Sequence, residues 1–310
     1  MHVIQFGRRT VLLCVWFAIA APSAFSQAPQ GAGPRGPAPT FADMQKSQSW
    51  ATHNLEKSPR HQEWVTSSNG GRTLKAWVVR PKVQGKLPVV LVLHEVFGLT
   101  DSTRNTADQI AAMGYLVIAP DMLSGRGPDG GNTDSFPSSH VASQTITSLR
   151  NDTVNSDLDA WADYGRKLPN AKSGEFAVVG LSWGGGAAFR YAAAQPKNLK
   201  AVFVFYDVGP PAITQGPDRE TATGAFPVDT ISVPVYGFYP SKDTRVMKSL
   251  QATKDLMAAQ HKAYDPLIYE GAEHAYMRVG SDPADSNPAN AAAVKDSLAR
   301  LDTLLKQTLK

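Results

Sequence analysis

FAVVGLSWGGG, residues 176–186, sets a serine between glycines directly behind an apolar run. A strand that turns sharply into a helix forces the turning residue into a left-handed conformation, and the flanking chain passes so close that only small residues fit. Gly180 and Gly184 are placed for that role. Such a turn lifts the Ser182 hydroxyl clear of the sheet and leaves the N–H of Trp183 free at a helix N-terminus, where it can face an oxyanion. The pentapeptide G-x-S-x-G is weakly specific alone, because glycine and serine are common in loops; the strand before it strengthens the reading.

Working outward, apolar runs alternate with helical patterns. Strands are predicted at Leu74–Val79, Val89–Leu93, Tyr115–Ile118, Phe176–Val179, Ala201–Phe205, Val233–Phe238 and Pro266–Tyr269, and helices at Asp101–Met113, Val141–Lys167, Thr244–His261 and Ala289–Lys310. Nearly continuous apolar strands belong to a mostly parallel central sheet with helices on both faces, the α/β class. The loop Ser124–Ser139, rich in Gly, Asp and Ser, is either a cover over a site or a solvated connection.

A serine hydroxyl is a poor nucleophile at neutral pH and needs a base within hydrogen-bond reach, itself oriented by an acid. In an α/β-hydrolase fold those partners follow the serine in the order acid, then histidine, on loops after late strands. Two histidines follow Ser182. His261 falls near the end of a helical pattern, where its charge would complement the helix dipole. His274, in IYEGAEHAYMR, follows a strand and is the expected base. Asp243, one strand earlier, is the expected acid; Asp207 competes, and Asp243 can also cap the helix that begins at Thr244.

The second oxyanion donor is expected after the strand Val89–Leu93, in LHEVFGLT, at the N–H of Val96. His94-Glu95 is not a zinc motif, since no second histidine follows at helical spacing, and the elbow does not match G-x-G-x-x-G, so no metal and no cofactor are implied. Trp183, Phe97, Tyr206 and Tyr276 would either line an apolar acyl pocket or pack the core.

The 310 residues, 42% hydrophobic and 19% charged, have ordinary globular composition and can bury a sizeable core. Residues 1–26 differ: Arg8 and Arg9 precede an apolar run from Val11 to Ala21, and Ala24-Phe25-Ser26 has the form of a cleavage site. This reads as a secretory signal peptide, with an uncleaved anchor as the alternative, and places the protein in the periplasm or outside the cell without a stable membrane span. The only cysteine, Cys14, leaves with the signal, and losing Arg8 and Arg9 lowers the net charge from +4 by two, too little to argue for nucleic acid. Residues 27–60 read as a flexible leader and N-terminal extension, and 61–310 as the catalytic domain.

LHEVFGL with Glu95, APDML closing the next strand, GLSWGG, the loop acid Asp243 and EHAYMR with His274 together resemble the dienelactone hydrolase family. SPRHQEWV and SGRGPDGG are similar to an exported branch of it. The resemblance implies hydrolysis of a small-molecule ester or lactone through an acyl-enzyme. It also implies that Ser182 stands where the best-known members have cysteine, and that Glu95, which in those members holds or activates the thiol, modulates the site. Arg278, four residues after His274, falls where the family has an arginine that binds a substrate carboxylate; Arg126 is the candidate for a second such arginine. Serine in an exported chain points to general esters and away from the family's namesake lactone, with a broad carboxylesterase or a polysaccharide or polymer ester hydrolase as the alternative. A non-catalytic exported binding protein is the reading from another class, and three candidates in the required order argue against it.

Overall fold

The computed structural model describes residues 40–210 and 227–309; the expected signal peptide and residues 27–39 of the leader lie outside them. Eight strands form one sheet in the order β1-β2-β4-β3-β5-β6-β7-β8. They are β1 (His61–Asn69), β2 (Arg72–Arg80), β3 (Leu87–Leu93), β4 (Leu116–Asp121), β5 (Ala171–Leu181), β6 (Leu199–Phe205), β7 (Val235–Pro240) and β8 (Tyr264–Tyr269). The pairs β1–β2 and β2–β4 are antiparallel and all others parallel. The β1–β2 hairpin closes through Gly70 and Gly71, both at positive φ (55° and 76°), as a two-residue turn matching the strand twist requires.

Helices cover both faces. α3 (Asp101–Ala112) and α9 (Pro288–Thr308) pack on one side, where Ile110, Val117, Phe203 and Leu301 share a core. α5 (Asn151–Lys167), α6 (Trp183–Ala193) and α7 (Thr244–Ala259) pack on the other, with Trp161, Ile118, Phe189 and Met257. Gly114, at φ 103°, ends the α3 segment where the sequence places its stop.

Three local features depart from the sequence reading. Residues 41–57, in the N-terminal extension where the sequence reading places no helix, form α1 (Phe41–Ser47) and α2 (Ser49–Lys57). Thr40 and Asp43 cap α1 reciprocally, and α2 is held on α3 by Thr52 to Asp101 and, through the turn after it, by Ser58 and Arg60 to Asp108. β1 is a further strand, at the sheet edge with Trp64 exposed. The single helix expected over Val141–Lys167 is two, α4 (Ser139–Thr147) and α5, broken at 148–150. Thr147 and Ser148 turn their hydroxyls back onto the carbonyls of Ser143 and Thr145, competing with continuation of the helix.

The parallel register brings the strand ends together. Leu93 stands opposite Gly180, Leu181 opposite Phe205, Phe205 opposite Phe238 and Pro240 opposite Tyr269. Chain order reverses at β3, which runs through α3 to β4 on one side while β5 lies on the other. That is the place where an open α/β sheet leaves a crevice for ligands.

Candidate active site

Ser182 sits between β5 and α6 with φ 51° and ψ −119°, a strained backbone that closes the elbow. Glycine is required at both neighbours by contact. A Cβ on Gly180 would lie 2.1 Å from the Gly184 carbonyl oxygen, and one on Gly184 would lie 2.6 Å from that of Leu93. The Ser182 N–H is anchored on the Phe205 carbonyl at 3.0 Å, tying the elbow to β6.

His274 lies on the loop between β8 and α8 (Tyr276–Val279). Its Nε2 is 3.1 Å from Ser182 Oγ and its Nδ1 is 2.6 Å from Asp243 Oδ2. The loop is fixed from both sides: the Glu273 N–H donates to Asn290 Oδ1 at 2.9 Å, and Ala275 takes a left-handed φ of 62°. Asp243 has divided its oxygens. Oδ1 accepts from the N–H groups of Arg245 and Val246 at 3.1 and 3.2 Å, capping α7, which leaves Oδ2 for the imidazole. Burial works to raise the Asp243 pKa, but the bonds from His274 and Val246 outweigh it and hold the carboxyl below its ordinary value.

The competing acid is committed elsewhere. Asp207 accepts from the Gly186 N–H at 3.1 Å and from Arg245 Nη1 at 2.7 Å. His261 is exposed just beyond the end of α7, at φ 53°. The two expected oxyanion donors lie at the ends of adjacent strands. Trp183 opens α6 and Val96 follows β3 by three residues; both residues are half-buried, and neither backbone N–H has a hydrogen-bond partner among the described residues.

Glu95 is buried, and its two oxygens are taken. Oε2 accepts from Arg278 Nε at 3.0 Å and Oε1 from the Tyr206 hydroxyl at 3.3 Å. Glu95 in turn raises the Arg278 pKa, and burial, followed by Glu95, pushes the Tyr206 hydroxyl well up. Arg278, expected at a substrate carboxylate, thus spends its Nε on an internal one. Of the two readings the sequence leaves for Tyr276, substrate contact or core, its position is core: it is fully buried, and its hydroxyl pairs with Ser297 at 2.6 Å because α8 packs on α9. Phe97 is half-buried on the loop after β3. Arg126 has Arg72 and Asp157 as charged neighbours, and burial followed by Arg72 lowers its pKa.

Two side chains were not given their observed partners by the sequence reading. For Tyr206 the sequence offers a pocket wall or core packing; it is fully buried and bonded to Glu95, and its positive φ of 42° leaves no trace in the residue type. His94 was weighed only as a metal ligand. It is fully buried, stacks on the Trp183 indole (5.8 Å, 20° between planes), and bonds Glu95 O and the Met122 N–H. Burial lowers its imidazole pKa, which favours the neutral form. The loop Ser124–Ser139 is pinned near this corner, since Thr133 bonds Asp121 through both its N–H and its hydroxyl, and the Leu99 N–H donates to Thr133 Oγ1.

A sequence model of the dienelactone hydrolase family matches residues 74–309. The chain belongs to that family. Its relatives in the dienelactone hydrolase family include a Synechocystis protein named "Putative carboxymethylenebutenolidase", 27% identical over 250 residues, covering 79% of this chain and 96% of the relative. An Escherichia coli protein of the same name is 28% identical over 243 residues, covering 76% and 83%. Among solved structures, a dienelactone hydrolase-like promiscuous phosphotriesterase from metagenomic libraries superposes with a TM-score of 0.65 at 19% identity, covering 81% of this chain and 99% of that one. The α/β-hydrolase fold and membership of a hydrolase family are therefore shared. α1, α2 and β1 precede the matched span.

Proposed function

We propose that this member of the dienelactone hydrolase family is a serine hydrolase that cleaves a carboxylic ester or lactone through an acyl-enzyme. The observation that carries the reading is the unbroken chain from Ser182 Oγ to His274 Nε2 (3.1 Å) and from His274 Nδ1 to Asp243 Oδ2 (2.6 Å). These distances are those over which a general base can take a proton.

Ser182 attacks the carbonyl carbon while His274 takes its proton and Asp243 steadies the imidazolium. The N–H groups of Val96 and Trp183 receive the charge that develops on the carbonyl oxygen. His274 then protonates the departing alkoxide, and water, deprotonated by the same imidazole, releases the acid and restores Ser182. Glu95, neutralised by Arg278 and bonded by Tyr206, is not free to act as a base; its role is to shape the loop that carries Val96. The half-buried Phe97 and Trp183 form the apolar wall for the acyl group. Among the described residues no helix is long and apolar enough to cross a membrane, and we take the N-terminal 26 residues as an export signal, testable by fractionating cells that express the full chain.

The deciding experiment treats purified protein with a fluorophosphonate and locates the adduct by mass spectrometry. Modification of Ser182, together with loss of p-nitrophenyl ester turnover in a folded Ser182→Ala variant, is expected. Full turnover by Ser182→Ala would overturn the assignment. A panel of simple esters, polymer-linked esters and enol-lactones then assigns the substrate class.

A further inference from the structure

His94 is a buried, neutral imidazole that the proposed chemistry does not use, yet it touches both halves of the expected oxyanion hole. Its tautomer follows from its partners. The Met122 backbone N–H can only donate, so Nε2, 3.1 Å away, must be the bare nitrogen that accepts. The proton therefore resides on Nδ1, which donates to the Glu95 carbonyl at 2.7 Å. That carbonyl belongs to the same peptide unit as the Val96 N–H. In a planar trans peptide the C=O and N–H point in opposite directions, so fixing one aims the other.

We propose that His94 is a positioning residue for the oxyanion hole, its Nδ1–H gripping the Glu95 carbonyl and thereby setting the direction of the Val96 N–H. The remaining support for that carbonyl is the Gly98 N–H at 3.3 Å, a longer contact within the same turn. The ring also stacks on the indole of Trp183, whose backbone N–H is the second donor. Its third attachment, Met122, lies just beyond β4. One imidazole thus joins the exits of β3 and β4 to the start of α6. The inference rests on the serine-hydrolase reading above.

Two variants separate positioning from simple packing. His94→Asn places an N–H where Nδ1 was and strands the Met122 N–H. His94→Gln can place an acceptor where Nε2 was and leaves the Glu95 carbonyl with only the longer Gly98 contact. Each removes one hydrogen bond from a buried backbone group, so both variants should lose some stability, and the distinction between them is read in kcat. If the grip on Glu95 is what matters, His94→Gln loses about 30-fold or more in kcat with KM within about threefold of the parent, and His94→Asn stays within about fivefold of parental kcat. Equal loss in both, or a loss confined to KM, would overturn the proposal. Nitrogen-15 NMR of the unaltered protein gives a second reading that needs no variant: Nδ1 protonated and Nε2 bare is expected, and the opposite tautomer would refute the grip. Fluorophosphonate labelling of the unaltered protein is run alongside. Absence of labelling fails the serine-hydrolase reading, whereas labelling with indistinguishable variants fails the His94 assignment alone.

Discussion

Gly184→Ala adds one methyl group, and the structure gives its consequence in ångströms. The new Cβ would lie 2.6 Å from the Leu93 carbonyl oxygen and 2.8 Å from both the Leu93 carbonyl carbon and the His94 carbonyl oxygen. Ordinary contact begins near 3.4 Å, so α6 and the end of β3 must part by about 0.8 Å. All three atoms are backbone and none can swing aside. Overpacking of this kind costs about 1–3 kcal/mol, and the better helix propensity of alanine returns about 1 kcal/mol, leaving a net loss of roughly 0–2 kcal/mol. Nothing offsets the geometry. The displaced segments carry Trp183 and Val96, the oxyanion donors proposed above, and misplacement on the order of 1 Å reduces turnover by about 100-fold. We expect kcat on a p-nitrophenyl ester to fall by about 30- to 100-fold while Tm falls by at most a few degrees. Gly186→Ala is the control, because the nearest atoms to its Cβ belong to side chains, Asp207 at 2.5 Å and Arg190 at 3.4 Å, and not to the backbone of β3. A stable Gly184→Ala variant with kcat within threefold of the parent would refute the reasoning.

Asp243→Asn retains an oxygen to cap α7 but replaces the carboxylate that steadies His274, so kcat should drop by about 10⁴-fold with the fold intact. The Asp243 pKa is depressed in the folded protein. Its contribution to stability is therefore present above the unfolded carboxylate value of about 3.9 and is lost as pH falls through the lower folded value. Urea midpoints at pH 6 and pH 3 should differ more for the parent than for Asp243→Asn. Arg278→Ala leaves Glu95 buried without its counter-ion and should lower the unfolding free energy by about 3 kcal/mol in denaturant titrations, while Arg278→Ala combined with Glu95→Gln recovers most of it.

The elbow and the order of the triad candidates were legible because both rest on local constraints. Steric exclusion dictates glycine at 180 and 184, and parallel strands must carry their functional groups on the loops that follow them. The central strands were legible because burial on both faces leaves uninterrupted apolar runs such as Val89–Leu93. β1 was not, since an edge strand needs no such run: HQEWVTSSN is mostly polar, and only its pairing with β2 makes it a strand. α1 and α2 carry few apolar residues, and α2 owes its place to polar bonds with α3 that no periodicity reports. The partner of Arg278 lies 183 residues away in sequence, a distance at which residue type and spacing carry no information about contact. Tyr276 illustrates the same limit, as an aromatic residue beside the expected base reads equally as a substrate contact or as core.

Asp243 serves two masters with its two oxygens, and under the proposed mechanism this would make turnover a sensor of the chain's own secondary structure. The carboxylate that orients His274 is also the first fastening of α7, so any fraying of that helix's first turn frees the side chain to rotate and releases the imidazole. Under that mechanism a local melting that leaves the sheet untouched would disarm the site. Heat or denaturant should extinguish activity before the bulk structure gives way, and cooling should restore it without the chain ever having unfolded.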